Sequence, residues 1–548
     1  VIRLQNISYR VRDFDGTEKH VLADISAEFH KGTRIALMGA NGSGKTTLAK
    51  LIAGLAAPSS GEIRIDSFLT TGNEFREHLG SRVGFLFQNP EHQMISVNVE
   101  RELALGLENQ GCQRTEMGER VAAFLKTFGL ERIRHSSTAM LSGGEKQILA
   151  LASVMILRPD ILILDEPTAH LDMAGKALFR TELDRYMTDT GLTILQITRE
   201  YEEIKDFDRL IILAEGRIVE DCSPDHIITD RKKLDRYKIE YPPSVFQSKV
   251  DGIKSREKFK SILPTESGRA RDGDSRAELE CNGVKFGWGN DPGGEIICDL
   301  DFALRSGQVH GILGRTGCGK TTLALLLAGL LKPREGEIRL DGRIVRREQL
   351  VNSVAYLFQS PERSMFASSL YEDIAYGPRN FGIAGEVLDR IVKKTLEQTG
   401  LDYENFRRRS PFNLSGGEAR LAAIAGGIAT GKRIIILDEP TEELDSVGKS
   451  MVKRLILNLA GEGKAVMVIS HDADFLFAVS DIISLWIDKK PETHPKYELY
   501  KSRDLFEMAG SDMPKVICLA AEYELEDEFI TSGIDSLDHP QLKQFTAL

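Results

Sequence analysis

Two segments carry residue types spaced for phosphate chemistry. Gly39-Ala40-Asn41-Gly42-Ser43-Gly44-Lys45-Thr46 and Gly314-Arg315-Thr316-Gly317-Cys318-Gly319-Lys320-Thr321 both fit G-x-x-x-x-G-K-[ST]. Each follows an apolar strand-like run, Arg34 to Met38 or Gln308 to Leu313, and precedes a helix-like run, Thr47 to Leu55 or Thr322 to Leu331. Glycines in that context let backbone N–H groups converge on phosphate oxygens at a helix N-terminus. Lys45 and Lys320 are then placed for the β- and γ-phosphates, and Thr46 and Thr321 for Mg²⁺. A glycine-rich turn with a stray lysine is the bland alternative, and two copies in the same strand-loop-helix setting argue against it. The chemistry expected is nucleotide binding, twice.

Two further constellations recur. The apolar runs Ile161 to Leu164 and Ile434 to Leu437 read as strands buried on both faces, and each ends in an acidic pair, Asp165-Glu166 or Asp438-Glu439. At the C-terminal end of a parallel strand an Asp can hold Mg²⁺, and the Glu after it can polarise an attacking water. Twenty-three residues before each Asp stands Ser142-Gly143-Gly144-Glu145 or Ser415-Gly416-Gly417-Glu418. S-x-x-E ahead of a periodic run is a helix capping box. Two glycines weaken a helix start, which makes sense where the backbone must approach an anion.

The elements around these residues repeat. Gly39 and Gly314 stand 275 positions apart, Gln88 and Gln359 271, Asp165 and Asp438 273. Such a period implies a duplicated domain rather than a solenoid. Strand-like runs alternate with amphipathic stretches, the α/β pattern; Arg3 to Arg10 and Glu280 to Phe286 read as antiparallel strands beside the main sheets. The expected division is a first domain at 1–235, a linker at 236–278, a second domain at 279–486 and an appended segment at 487–548. Tyr241-Pro242-Pro243 ends the first domain's tail, Lys249 to Glu278 is charge-dense, and Glu522 to Glu528 is acidic.

At 548 residues and 41 % hydrophobic content, two real cores are expected. A net charge of −11 suits non-specific nucleic-acid binding poorly, so no nucleic-acid partner is expected. Six scattered cysteines fit a reducing compartment, not a disulfide frame or zinc site. The apolar run Leu323 to Leu331 is too short to span a bilayer. No signal-peptide pattern opens the chain, and Val1 implies a non-standard or missing start.

P-loop, Gln in Phe87-Gln88 and Phe358-Gln359, Leu-Ser-Gly-Gly-Glu, Asp-Glu-Pro-Thr and a following Leu-Asp, in that order and twice, resemble the ATP-binding cassette (ABC) ATPase family. The resemblance implies an α/β fold of two P-loop NTPase domains, each a mainly parallel sheet with an antiparallel β subdomain and a helical subdomain. It implies ATP and Mg²⁺ as ligands, with a head-to-tail pairing of the cassettes. Site one would join Gly39, Asn41, Gly42, Ser43, Gly44, Lys45, Thr46, Thr47, Gln88, Asp165 and Glu166 to Ser415, Gly416, Gly417 and Glu418. Site two would join Gly314, Thr316, Gly317, Cys318, Gly319, Lys320, Thr321, Thr322, Gln359, Asp438 and Glu439 to Ser142, Gly143, Gly144 and Glu145. The catalytic set would be Glu166, Glu439, His471, Gln88 and Gln359, and the metal set Thr46, Gln88, Asp165, Thr321, Gln359 and Asp438. One chain carrying both halves fixes the pairing.

The copies differ where the resemblance places a switch histidine and an adenine platform. The second has His471 and Trp288; the first has Arg199 and Val11, with Tyr9 expected in the core. Arg199 is a permanent cation that cannot copy imidazole geometry. The segments after Gln88 and Gln359 are similar to those of energy-coupling-factor (ECF) importer ATPases: Asn89-Pro90-Glu91-His92-Gln93-Met94-Ile95 with Val99 to Gly106, and Ser360-Pro361-Glu362-Arg363-Ser364-Met365-Phe366 with Tyr371 to Gly377. Ser364 departs from that pattern. The resemblance implies a transmembrane coupling subunit docked at Met94, Ile95, Met365 and Phe366, a substrate-binding membrane subunit, one pair of cassettes per transporter, and a peripheral place on the cytoplasmic face of the membrane. The cargo implied is a vitamin, vitamin precursor or transition-metal ion. A sugar-type tandem importer ATPase and a soluble translation-factor-type ABC protein are the alternatives. Glu439→Gln is expected to remove most steady-state ATPase activity and Glu166→Gln much less, because losing a positioned proton-transfer group costs on the order of 10²–10⁴ in rate; equal losses would refute the asymmetry.

Overall fold

Burial on both faces decides where the strands go. Ile161–Asp165 and Ile434–Asp438 are buried at every position, as are Thr193–Ile197 and Ala465–Ile469, so each must lie inside a sheet with helices on both sides. The computed structural model describes residues 1–12, 18–72, 75, 82–168, 171, 173–198, 201–228, 233, 236–237, 277–288, 295–315, 317–361, 364–442 and 444–522. Thr316, Arg199, the Tyr241-Pro242-Pro243 break, most of the expected linker and the acidic run beyond Glu522 lie outside the described residues. The chain divides into two compact units, Val1–Phe246 and Gln247–Leu548.

Among the described residues the first unit holds ten strands: β1 (Ile2–Arg12), β2 (Glu18–Phe29), β3 (Arg34–Met38), β4 (Ser60–Ile65), β5 (Phe68–Leu69), β6 (Val83–Leu86), β7 (Ile161–Asp165), β8 (Thr193–Ile197), β9 (Arg209–Ala214) and β10 (Arg217–Cys222). The main sheet runs β10-β9-β3-β8-β7-β6, parallel except for the edge strand β10. A separate antiparallel sheet, β2-β1-β4-β5, closes over the helix Lys45–Ile52. Between β6 and β7 the chain forms a helical layer. There Leu103, Leu107, Val121 and Leu125 pack on the helix Gly143–Met155.

The second unit repeats this plan with β11 (Ala277–Gly287), β12 (Glu295–Arg305), β13 (Val309–Leu313), β14 (Glu335–Leu340), β15 (Arg343–Ile344), β16 (Val354–Leu357), β17 (Ile434–Asp438), β18 (Ala465–Ile469), β19 (Ile482–Ile487) and β20 (Lys490–Pro495). The sheets run β16-β17-β18-β13-β19-β20 and β12-β11-β14-β15. The α/β class with antiparallel and helical subdomains is thus the observed fold in both units. Among the described residues no helix is long and apolar enough to cross a membrane.

The sequence boundary at residue 486 cuts through this second sheet. Strand β20 pairs antiparallel with β19 from Ile482↔Pro495 to Ile487↔Lys490 and is the counterpart of β10. Its Pro491 and Pro495 read as breakers, yet an edge strand needs amide N–H groups on one side only. Beyond it Leu499, Tyr500, Phe506, Val516 and Ile517 are buried, so the described tail is packed onto the unit.

One buried group separates the two sheets. His310 in β13 stands where the first copy has Ile35. Its Nε2 lies 2.7 Å from Ser484 Oγ and its Nδ1 3.3 Å from the Ala303 carbonyl, which makes Nδ1 the N–H donor and Nε2 the acceptor. Burial pushes its pKa down to about 4. A neutral histidine in the folded state that titrates near 6.5 when unfolded makes stability fall as pH drops from about 6.5 to about 4, by about 3 kcal/mol in all. Both tryptophans, Trp288 and Trp486, belong to the second unit, so their fluorescence reports its unfolding. Between pH 7 and 4.5 the urea midpoint read this way should fall less in His310→Ile than in the parent; parallel slopes would exclude His310 as the source.

Candidate nucleotide sites

In each unit the first parallel strand of the duplicated core turns through the glycine loop into a helix, β3 into Lys45–Ile52 and β13 into Lys320–Leu327. Glycine is required at the turn. A Cβ on Gly39 would lie 2.1 Å from the Leu213 carbonyl oxygen, and Gly44 has φ +100. Gly44 and Gly319 are the N-caps, and neither helix has a side-chain cap. The first-turn N–H groups are therefore offered to an anion rather than to a neighbouring side chain. The ammonium of Lys45 curls over its own loop, 2.8 Å from the Gly39 carbonyl and 2.9 Å from that of Ala40. Lys320 does the same, 2.7 Å from Gly314 and 2.9 Å from Arg315. The buried Ser43 hydroxyl has no hydrogen-bond partner among the described residues.

The acidic pairs reach these loops from neighbouring strands. Asp165 faces the Thr46 hydroxyl, and Asp438 faces the Thr321 hydroxyl. Burial, with the adjacent glutamate adding, pushes both aspartates up to about 6 against the pull of these hydroxyls. A hydroxyl and a carboxylate converging on one point suit Mg²⁺, which keeps several waters and takes few protein ligands. No group of three or more His, Cys, Asp or Glu side chains among the described residues offers a fuller metal cage. Glu166 and Glu439 adopt left-handed backbone, φ 45 and φ 49, at an expected cost of about 1–3 kcal/mol each. Their N–H groups are pinned to the carbonyls of Ile197 at 3.0 Å and Ile469 at 2.9 Å, so the neighbouring strand holds the strained turn.

Around the glutamates the copies part. Glu439 Oε2 lies 3.0 Å from His471 Nδ1 and accepts from Ser470 Oγ at 3.1 Å. The Glu439 carboxylate pushes His471 up to about 9, although solvent reaching the ring screens part of that field. In the first unit Gln88 Nε2 donates to Glu166 at 3.3 Å. Arg199 lies outside the described residues, but Thr198 beside it donates to Glu203 at 2.6 Å, and Gln196 donates to the same carboxylate at 3.0 Å.

Three positions escaped the sequence reading, and all are visible when the copies are aligned. Tyr356 donates to Asp438 at 3.0 Å where the first copy has Phe85. Arg420, fully buried in the helix Gly416–Ala429, bonds the Gln359 carbonyl and pairs with Glu442 at 3.2 Å. The first copy has Gln147 and Ala169 there, and the buried Gln147 amide finds no partner among the described residues. Gln359 itself is exposed, and its carbonyl accepts from Arg420.

Both Ser-Gly-Gly-Glu segments are the capping boxes expected. Ser142 Oγ accepts from the Glu145 N–H at 3.3 Å and Ser415 Oγ from the Glu418 N–H at 3.3 Å, and each glutamate caps the serine in return. Each serine hydroxyl also donates to its glutamate, at 2.9 Å in both copies, so serine and carboxylate are engaged with one another and the first-turn glycine N–H groups are left for an anion. Trp288 stands half-exposed, edge-on to Phe286 with ring centroids 5.3 Å apart, while Val11 is exposed and Tyr9 packs against the core.

After the glutamines, one expectation needs correction. Met365 is buried in the helical layer at 7 % exposure, and Met94 packs against the corresponding core, so neither is an open docking side chain. Their neighbours Ile95, 79 % exposed, and Phe366, 60 % exposed, point outward. Each tip is fastened from below. Glu102 accepts from the N–H groups of Ile95 at 3.1 Å and Ser96 at 2.6 Å; Asp373 accepts from those of Phe366 and Ala367, both at 3.0 Å. The run Met-Ile or Met-Phe puts one side chain in and the next out, a direction that composition alone does not show.

The family model described as ABC transporter matches residues 22–169 and 297–442, together more than half of the chain. A Bifidobacterium longum protein named as an ABC transporter ATP-binding protein is 34 % identical over 85 % of this chain, which spans 63 % of its length. A Methanosarcina mazei protein of the same description is 30 % identical over 95 % of this chain and 93 % of its own. Among solved structures, cbiO1 from Clostridium perfringens, described as part of the ABC transporter complex cbiONQ, is 28 % identical over 45 % of this chain and 98 % of its own, with a TM-score of 0.39.

Cys318 offers a direct probe of the second loop. Its Sγ lies 3.9 Å from Lys320 Nζ, yet burial outweighs that cation and pushes the thiol up. The apo protein should therefore label with maleimide at Cys318 more slowly than glutathione at pH 7, and faster as pH rises. Mg-ATP should slow labelling further, as peptide mapping would read; labelling indifferent to Mg-ATP would contradict the placement of this loop beside phosphate.

Proposed function

Since this chain belongs to the ABC transporter family, as an ATPase with two fused cassettes, we propose that it is the energy-coupling subunit of an ECF-type importer. The observation carrying this reading is the pair of fastened apolar tips, Ile95 and Phe366, set immediately after Gln88 and Gln359. An exposed apolar side chain whose backbone is locked by a carboxylate is preorganised for an apolar partner surface. In this reading the partner is the cytoplasmic face of a transmembrane coupling subunit. A separate membrane subunit binds the cargo, a vitamin, vitamin precursor or transition-metal ion.

Each nucleotide is held by one loop and by the Ser-Gly-Gly of the other cassette, Lys45 with Ser415 to Gly417 and Lys320 with Ser142 to Gly144. Lys45 and Lys320 leave their loop carbonyls for phosphate oxygens. Trp288 offers site two an aromatic face for the adenine. Mg²⁺ would be held by Thr46 and Asp165 or by Thr321 and Asp438, where it would supply charge neutralisation on the phosphates. At site two Glu439 accepts the proton of the attacking water. Charged His471, released from Glu439 by that proton transfer, turns its N–H toward phosphate charge. At site one Gln88 donates to Glu166, and the sequence has Arg199, a permanent cation, where the second copy has His471, so this site turns over slowly and serves mainly to hold the pair closed.

Purification from membranes should bring down hydrophobic subunits, identifiable by mass spectrometry. Ile95→Asp combined with Phe366→Asp should release them while leaving ATP binding in place. Ribosomal proteins in their place would favour the translation-factor reading, and membrane subunits retained by the double variant would remove the tips as the docking point.

A further inference from the structure

The packed tail of the second unit touches two parts of its nucleotide site. The helix Asp504–Ala509 ends at Gly510, left-handed at φ 63. The space in front of Gly510 is filled by Arg315 of the P-loop: a Cβ there would lie 1.9 Å from Arg315 Nε and 2.5 Å from its Cγ. A few residues on, Lys515 N donates to Asp474 Oδ1 at 2.6 Å, and its Nζ lies 3.5 Å from Oδ2. Asp474 sits in the first turn of the helix Ala473–Val479, three residues after His471. The same helix receives Tyr500 edge-on at Phe477, with centroids 5.2 Å apart, and Lys496 Nζ over that ring at 5.8 Å. Leu499, Phe506, Val516 and Ile517 anchor the segment in the unit's own core. The first loop has Ala40 at the position of Arg315, so it cannot make the arginine contact.

We propose that residues 496–522 form a positioning strap for the second nucleotide site. It bears on Arg315, whose carbonyl accepts from Lys320 Nζ at 2.9 Å, and on Asp474 at the base of the His471 segment. The strap holds the phosphate loop and the histidine turn as one body. The two elements already meet at their bases, where β13 pairs with β18 and Ser470 N donates to the Ile312 carbonyl at 3.3 Å, and the strap adds a second tie beyond the strand ends, at Arg315 and Asp474. Arg315, Gly510, Asp474 and Lys515 are positioning residues; none needs to touch nucleotide. The inference rests on reading Lys320's loop as an ATP site.

The test is equilibrium binding of a fluorescent ATP analogue with Mg²⁺ to the full chain carrying Lys45→Ala, so that the second loop dominates the signal. Gly510→Ala puts a methyl group into the space of Arg315 and should raise the dissociation constant by about fivefold or more; adding Arg315→Ala should return it to within about twofold of the Lys45→Ala parent. No change with Gly510→Ala overturns the strap. A defect that Arg315→Ala fails to relieve also overturns it, since strain of alanine at positive φ would then suffice. A Lys45→Ala parent that binds no analogue overturns both the strap and the site reading. If Gly510→Ala does not fold, Asp474→Ala in the otherwise natural chain should lower kcat for ATP several-fold with an unchanged thermal midpoint; unaltered kcat overturns the strap.

Discussion

The approach of a loop threonine to a buried aspartate, Thr46 to Asp165 and Thr321 to Asp438, is the joint on which each cassette depends. It brings the glycine loop against the end of a strand buried on both faces. Parallel neighbours fix that strand end, and the following glutamate inherits its position through a strained turn pinned to the next strand. Burial raises both aspartates toward the neutral form, which a bound cation would reverse. The strand's apolar face and the acid at its end are therefore one device: the sheet supplies rigidity, and the carboxylate uses it.

On that shared joint the two copies carry different chemistry. The second surrounds it with Tyr356, the Glu439–His471 pair and the buried Arg420–Glu442 pair. The first has Phe85, a Gln88–Glu166 contact, a buried Gln147 whose amide finds no partner among the described residues, and a cluster of hydroxyl and amide donors on Glu203. Arg420 and Glu442 are charged where Gln147 and Ala169 are not, as a buried pair requires both partners or neither. The same duplicated scaffold thus surrounds its two acidic strand ends with different partners, a histidine and a buried ion pair in the second copy and amide and hydroxyl donors among the described residues of the first.

Much of the architecture was open to reading from residues. Four buried strands were visible as apolar runs, and the capping boxes as S-x-x-E before periodic helices, because these patterns depend on neighbours within a few positions. The failures came at longer range. Met365 sits beside Phe366 in sequence, but one packs into the helical layer and the other faces out, a choice made by Asp373 capping the loop from the following helix. The tail after residue 486 looked broken by prolines, yet its first strand is a sheet edge that needs only half its amides, and its later helices are held by buried leucine, phenylalanine and isoleucine contacts.

Residue order alone settled the duplication, the two phosphate loops, the acidic strand ends and the membership of the chain in a nucleotide-using class, since each is written in local spacing. Folding settled which groups meet across the chain: Tyr356 with Asp438, Arg420 with Glu442, and Gly510 with Arg315. Those pairs are separated by 82, 22 and 195 positions, and no periodicity or propensity acts over such distances. The two phosphate loops share their glycines, lysine and threonine, and what sets them apart is a few loop residues such as Arg315 together with the packing brought to each by distant segments.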